Sequence, residues 1–189
     1  MAVPQSTPGR SGIRLEVNDP RSDDAAGLLA RDLVAELTRR GLTVGVAESL
    51  TGGLLVAEFI AVPGASAVVR GAVVAYNTAL KSSLLGVDAR LLAEHGAVHP
   101  DVAAQMAEGA RRATAVGGLP ADIGLSTTGV AGPDPQDGQP VGTVFIAVAT
   151  RDGTSVRALA LTGSRETIRR GVVSESLLHL GEVLSEIDA

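Results

Sequence analysis

Thr43-Val44-Gly45-Val46-Ala47, then Glu48-Ser49-Leu50-Thr51-Gly52-Gly53, then Leu54-Leu55-Val56-Ala57-Glu58-Phe59-Ile60: this stretch decides the fold. The first five residues read as a short buried strand. The next six carry the Ser, Thr and paired Gly of a tight turn. The last seven, closed by Val62-Pro63-Gly64, read as a helix. A strand that turns directly into a helix is the opening of an α/β unit.

Working outward, the same grammar repeats. Upstream, Asp24 to Arg40 places Leu28, Leu29, Leu33, Val34 and Leu37 at three-to-four spacing, and Gly41 ends that helix. Downstream, Val-rich Val68 to Tyr76 reads as a second buried strand. Asn77 caps a short helix that carries Lys81 as far as Gly86, and Asp88 caps another over Ala89–His95. Pro100 opens a helix to about Thr114. Ile123 to Thr127 is a strand, and Thr128 to Val141, dense in Gly and Pro, is a long loop of the kind that often serves function. Thr143–Thr150 and Ser155–Leu161 form a hairpin across Arg151-Asp152-Gly153-Thr154, and Ser164 to Ile187 is the last helix. Strands alternating with helices predict an α/β fold with a mixed sheet between helical layers. Residues 1–22 read as a flexible tail, in which Ile13, Leu15 and Val17 alternate as a short edge strand would. Residues 23–189 read as one domain, in keeping with a length of 189 residues.

Composition excludes several classes. The net charge is −5 and aromatics are 2% of the chain (Phe59, Tyr76, Phe145), so a nucleic-acid partner has neither a basic field nor stacking platforms. Cysteine is absent, which removes disulfides, thiolate nucleophiles and Cys-ligated metals. No apolar run approaches the ~18 residues of a membrane span, and no signal-peptide pattern opens the chain. A cytoplasmic protein with no membrane partner is the expectation. His95, His99 and His179 show no metal-ligand spacing. His95 and His99 read as turn residues, and the loop carboxylates Asp134 and Asp137 as a possible cation site.

One feature of composition points to chemistry. Of the 16 cationic side chains, one is Lys, Lys81, and the sole Tyr is Tyr76. A lysine loses its proton when desolvated, whereas an arginine does not. Lys81 is thus either a solvated surface cation or a base for a serine hydroxyl. Ser49 is either the N-cap of the following helix or a nucleophile at a helix start, where backbone N–H groups of Thr51, Gly52 and Gly53 would hold an oxyanion. Tyr76 is either a wet strand-end aromatic or a hydroxyl that orients the Ser-Lys pair. Arg165, Arg169 and Arg170 open the last helix, where cations oppose the helix dipole unless an anion joins them. There is no GxGxxG, P-loop or GxSxG pattern.

These residues carry a resemblance. The run from Ala47 to Val87 (AESLTGGLLVAEFIAVPGASAVVRGAVVAYNTALKSSLLGV) resembles the signature of the CinA C-terminal domain family. HGAVHPDVAAQMAEGAR, TTGVAGPDPQDGQPVGTVFIAVAT and TGSRETIRR follow in order, so the likeness spans about Leu28 to Leu184. It implies a three-layer α/β/α sandwich and an amidohydrolase that deamidates nicotinamide mononucleotide, through a Ser-Lys acyl-enzyme and without cofactor or metal. By motif, Ser49 is the implied nucleophile, Lys81 its base and Tyr76 the accompanying hydroxyl. Thr128, Gly129 and Gly132 would line the nucleotide pocket, with Arg165 or Arg169 on the phosphate. The implied partner is a small pyridine nucleotide, and the implied assembly a homodimer. The sequence departs from the usual pattern at Leu50, often Cys in the family, and at Asn77-Thr78-Ala79-Leu80, commonly SNEA-like. A non-catalytic nucleotide-sensing or partner-binding module is the alternative reading.

Overall fold

The computed structural model describes residues 25–187. The expected tail over 1–22, with its Ile13/Leu15/Val17 alternation, lies outside the described residues. Twelve elements follow: α1 (Ala25–Arg40), β1 (Val44–Glu48), α2 (Leu54–Ile60), a 3₁₀ turn (Ala65–Ala67), β2 (Val69–Val74), α3 (Thr78–Leu85), α4 (Ala89–His95), α5 (Pro100–Ala113), β3 (Ile123–Gly129), β4 (Thr143–Ala149), β5 (Thr154–Ala160) and α6 (Arg165–Glu186).

The sheet runs β2-β1-β3-β4-β5. β1 pairs in parallel with β2 and with β3, and β3, β4 and β5 are antiparallel. The sheet is therefore mixed, and helices cover both faces. One face holds a core of Leu33 and Leu37 from α1, Leu55 and Phe59 from α2, and Leu177 and Leu180 from α6, packed on Val44, Val46 and Leu125. The other holds Leu85, Val102, Met106 and Ala110 against Ala47. This is a three-layer α/β/α sandwich. Alternation along β1 explains how one strand serves both layers: Val44 and Val46 point to α1, α2 and α6, while Gly45 and Ala47 point to α5.

α5 lies unusually close to the sheet because Gly124 has no side chain. A Cβ there would sit 2.0 Å from the Ala107 carbonyl oxygen. The alanines opposite (Ala103, Ala107, Ala147, Ala149) complete a seam of small residues.

Most element bounds match the sequence reading, and the expected caps at Asn77 and Asp88 accept N–H bonds; Ser164, read as the first residue of the last helix, is its N-cap. Three readings need correction. β2 is not a buried strand: it lies at the sheet edge, half covered, with Val74 and Tyr76 exposed. Leu28 points outward on α1, and Ala30 takes its place against the core. β3 continues through Gly129, so the long loop begins at Val130. Among the described residues no helix is long and apolar enough to cross a membrane.

Gly124→Ala tests the close approach of α5. It should lower stability by about 1–3 kcal/mol, since the added methyl meets backbone, read as a fall in the urea midpoint.

Candidate active site

β1 is the switch point of the sheet. Its connection through α2 leads to β2 on one side, and the connection through α5 leads to β3 on the other. Strands leaving such a point in opposite directions open a crevice at their carboxyl ends. Register sharpens this: Glu48 lies opposite Val74, and Ala47 opposite Ser126. The residues that follow each strand, Ser49, Ala75-Tyr76 and Thr128 onward, therefore converge. They border a cavity of about 430 Å³, of the size that holds a small ligand.

Ser49 begins the turn after β1 and is nearly buried. Its N–H donates to the Thr127 carbonyl at 3.1 Å, which ties the turn to β3. Lys81 sits one turn into α3, which starts directly beyond β2 and leans over the strand ends. Its side chain is 1% exposed. Nζ lies 2.7 Å from the Ala75 carbonyl and 2.9 Å from Ser49 Oγ. Burial pulls the Lys81 pKa from its usual value near 10.5 down to about 8, and the negative charge of Asp137 opposes that fall. An amine so placed donates one hydrogen bond to a carbonyl. Once neutral, it has its lone pair free for the serine O–H.

The turn itself is built by groups outside the expected set. Glu48 is fully buried, and its carboxylate accepts from Gly53 N–H at 2.8 Å, Val56 N–H at 2.9 Å and Leu55 N–H at 3.2 Å. This carboxylate, and not the Ser49 hydroxyl, caps α2, which corrects the N-cap reading of Ser49. The Ser49 hydroxyl is thereby left to Lys81. Thr51 Oγ1 shares a buried 2.8 Å hydrogen bond with Thr127 Oγ1. The N–H groups of Gly53 and Gly52 are engaged, with Glu48 and with the Ser49 carbonyl. Those of Leu50 and Thr51 make no hydrogen bond within the described residues; Leu50 borders the cavity and Thr51 is fully buried beside it.

Thr128, Gly129 and Gly132 line the cavity, and the Thr128 hydroxyl donates to the Ala97 carbonyl. Tyr76 is 61% exposed at the rim. Its hydroxyl accepts from Arg165 at 2.9 Å and reaches neither Ser49 nor Lys81 by hydrogen bond. Arg165 also donates to the Gly132 carbonyl at 2.5 Å and borders the cavity. Arg169 does not. Its guanidinium donates to the Leu50 and Thr51 carbonyls at 2.9 and 2.8 Å, so it braces the serine turn from behind. Arg170 pairs with Glu166 on the helix surface.

His95 and His99 stack on each other, and His99 Nδ1 caps α5, a turn role as expected. Among the described residues no group of three or more His, Cys, Asp or Glu side chains is arranged to hold a metal ion. Asp137 instead accepts the Ala97 N–H.

The match to known proteins covers this whole arrangement. Residues 27–184 match the family described as the CinA C-terminal domain. The chain belongs to the CinA C-terminal domain family. It is 44% identical over 177 residues to a CinA-like protein of Frankia casuarinae, an alignment that covers 94% of this chain and 39% of that protein. The crystal structure of a CinA-superfamily protein from Klebsiella pneumoniae superposes with a TM-score of 0.80 at 30% identity, over 86% of this chain and 99% of that one. A competence/damage-inducible protein from Agrobacterium tumefaciens does so with 0.78 at 34%, over 85% and 95%. The chain spans between a third and two fifths of the length of the curated relatives it matches.

Glu48→Ala removes three accepted hydrogen bonds from the start of α2. A loss of about 3 kcal/mol is expected, because one freed donor is buried and two are part-buried, measured by chemical denaturation against the parent chain.

Proposed function

We propose that this CinA-family domain is an amidohydrolase that converts nicotinamide mononucleotide to nicotinic acid mononucleotide and ammonia. The observation that carries the reading is the buried Lys81 amine 2.9 Å from Ser49 Oγ, at the mouth of a cavity where three strand ends meet. A serine hydroxyl at neutral pH is a weak nucleophile and needs a base beside it. A lysine whose proton leaves near pH 8 is a competent one.

The steps follow from that pair. Neutral Lys81 takes the Ser49 proton as Oγ bonds to the carboxamide carbon. The carbonyl becomes an oxyanion, held by the N–H groups of Leu50 and Thr51. The Lys81 ammonium returns its proton to the amide nitrogen, the C–N bond breaks, and ammonia leaves an acyl-serine. Water then attacks the acyl carbon, with Lys81 again taking a proton. The acid is released and the serine restored. Tyr76 serves at the rim rather than in proton transfer. Arg165, whose two hydrogen bonds go to neutral oxygens, is the cation offered to the substrate phosphate. Arg169 is committed to the turn. No step calls for a cofactor.

Ser49→Ala should lower ammonia release from nicotinamide mononucleotide at least about 10³-fold while leaving thermal stability near that of the parent. Lys81→Arg should be similarly inactive, since a guanidinium keeps its proton. Near-full activity in either variant would refute the dyad. Substrate that raises the melting temperature without being turned over would instead identify a nucleotide-sensing module.

The pH profile is a second check. The neutral amine is the active form, so kcat/KM should climb about tenfold per pH unit below the Lys81 pKa. It should level off above about 8.

A further inference from the structure

Arg169 lies one turn into α6, does not line the cavity at Ser49, and makes no ion pair among the described residues. Its guanidinium faces one short run of backbone instead. Nε donates to the Leu50 carbonyl at 2.9 Å, and a terminal nitrogen donates to the Thr51 carbonyl at 2.8 Å. Leu50 and Thr51 are both buried. Gly52, at φ 61°, lets the backbone pass close to that side chain: a Cβ there would lie 3.4 Å from the same terminal nitrogen.

The peptides of this turn are trans, and a trans peptide sends its N–H opposite its carbonyl. With the Leu50 and Thr51 carbonyls turned to Arg169, the Thr51 and Gly52 N–H groups are turned away from it. The Gly52 N–H reaches the Ser49 carbonyl at 3.2 Å, which marks that side of the turn as the serine's. The Thr51 N–H, turned the same way, has no partner among the described residues. A cation hydrogen-bonded to a carbonyl draws electron density through the peptide and strengthens the N–H at its other end as a donor.

The geometry points to Arg169 as a positioning residue for the reaction at Ser49: from behind the turn, its charge fixes and polarises the Leu50–Thr51 peptide, so that the Thr51 N–H is a stronger donor to the oxyanion than an unassisted amide. The proposal rests on the acyl-serine chemistry proposed above. A clamp for the turn alone would need no charge. The Thr51–Thr127 hydroxyl pair, the Ser49 N–H on the Thr127 carbonyl and the Glu48 carboxylate already hold this segment from other sides. What Arg169 adds is a positive charge on two carbonyls next to the nucleophile, in a part-buried place that water screens poorly.

Two variants separate charge from shape. Arg169→Gln keeps a donor and loses the charge, and Arg169→Lys keeps the charge on a point donor. With folding checked by thermal melts, Arg169→Gln should lower kcat for ammonia release from nicotinamide mononucleotide by roughly 10- to 100-fold, less than deleting an oxyanion donor outright. KM should stay within about twofold of the parent, as when an interaction made only in the transition state is lost. Arg169→Lys should recover most of that loss. A folded Arg169→Gln with the parent's kcat overturns the proposal. So does a loss carried by KM alone, which would make Arg169 a substrate contact. Equal losses in the two variants overturn it as well, since the fork and not the charge would then matter. Should Arg169→Gln not fold, Arg169→Lys decides: kcat within about tenfold of the parent at unchanged KM is expected, and a larger loss overturns the proposal.

A parent chain that releases no ammonia from nicotinamide mononucleotide refutes that substrate and leaves Arg169 to a second readout. The same variants are then compared by the rate at which Ser49 Oγ bonds to the phosphorus of a fluorophosphonate and displaces fluoride, a step that puts negative charge on the phosphoryl oxygen. Arg169→Gln should label about tenfold more slowly. An equal rate overturns the role of Arg169, and a parent that does not label overturns it together with the serine nucleophile.

Discussion

Parallel pairing of β1 with β2 on one side and β3 on the other is the constraint from which the site follows. It forces three chain segments to leave the sheet at one edge, and each must satisfy its backbone there without a strand neighbour. Ser49 N–H finds the Thr127 carbonyl, Ala75 N–H finds the Glu48 carbonyl, and Lys81 Nζ takes the Ala75 carbonyl. The amine is thus part of the backbone accounting of the sheet edge as well as the partner of the serine. A guanidinium could meet the first demand, as Arg169 does for Leu50 and Thr51, but it keeps its proton and cannot accept one from the serine.

Keeping a reactive turn in place takes rigid support, and here the support comes from beneath. The Glu48 carboxylate gathers the amides of α2, and Arg169 holds the outward carbonyls of Leu50 and Thr51. Donors and acceptors of the same short turn are therefore fixed by opposite charges from opposite sides. That leaves the Leu50 and Thr51 N–H without a partner among the described residues, free for the oxyanion of the proposed reaction. The arrangement is pre-organised in the sense that no donor has to abandon another partner when charge develops.

How much of this was legible in the sequence depends on the range of the interaction. Asn77 and Asp88 cap helices through bonds to residues two positions away, and local pattern finds them. The β4–β5 hairpin was legible for the same reason: the Thr150 N–H closes onto the Gly153 carbonyl. Val69–Val74 misled because a run of valines looks alike in a central and an edge strand. Only the order β2-β1-β3 decides, and that order depends on crossovers far away in sequence. Arg169 could not be separated from Arg165 by inspection. One helical turn apart, they reach carbonyls 119 and 33 positions distant. Glu48 was overlooked because Ser49 beside it is the commoner cap. The available hint was an acidic residue closing an apolar strand just before a helix start, where negative charge is favoured. Lys81 was visible through scarcity, since a lone lysine in an arginine-rich chain marks a position where the two are not equivalent.

The three arginines at the start of α6 show how one motif divides its work. Cations at a helix N-terminus face an unfavourable dipole, and each must be compensated. Arg170 is compensated by Glu166 one turn away, and Arg169 by two carbonyls of the serine turn. Arg165 meets a carbonyl and a phenol, both neutral, at the rim of the cavity. Its charge is therefore balanced least within the fold, and it is the one directed at solvent beside the serine. In the proposed reaction an anionic group on the substrate would complete that balance at the rim, while its amide would lie at the Ser49–Lys81 end. A substrate with an anion at one end and a carboxamide at the other spans the two, and a neutral amide would leave Arg165 with only the partners it already has.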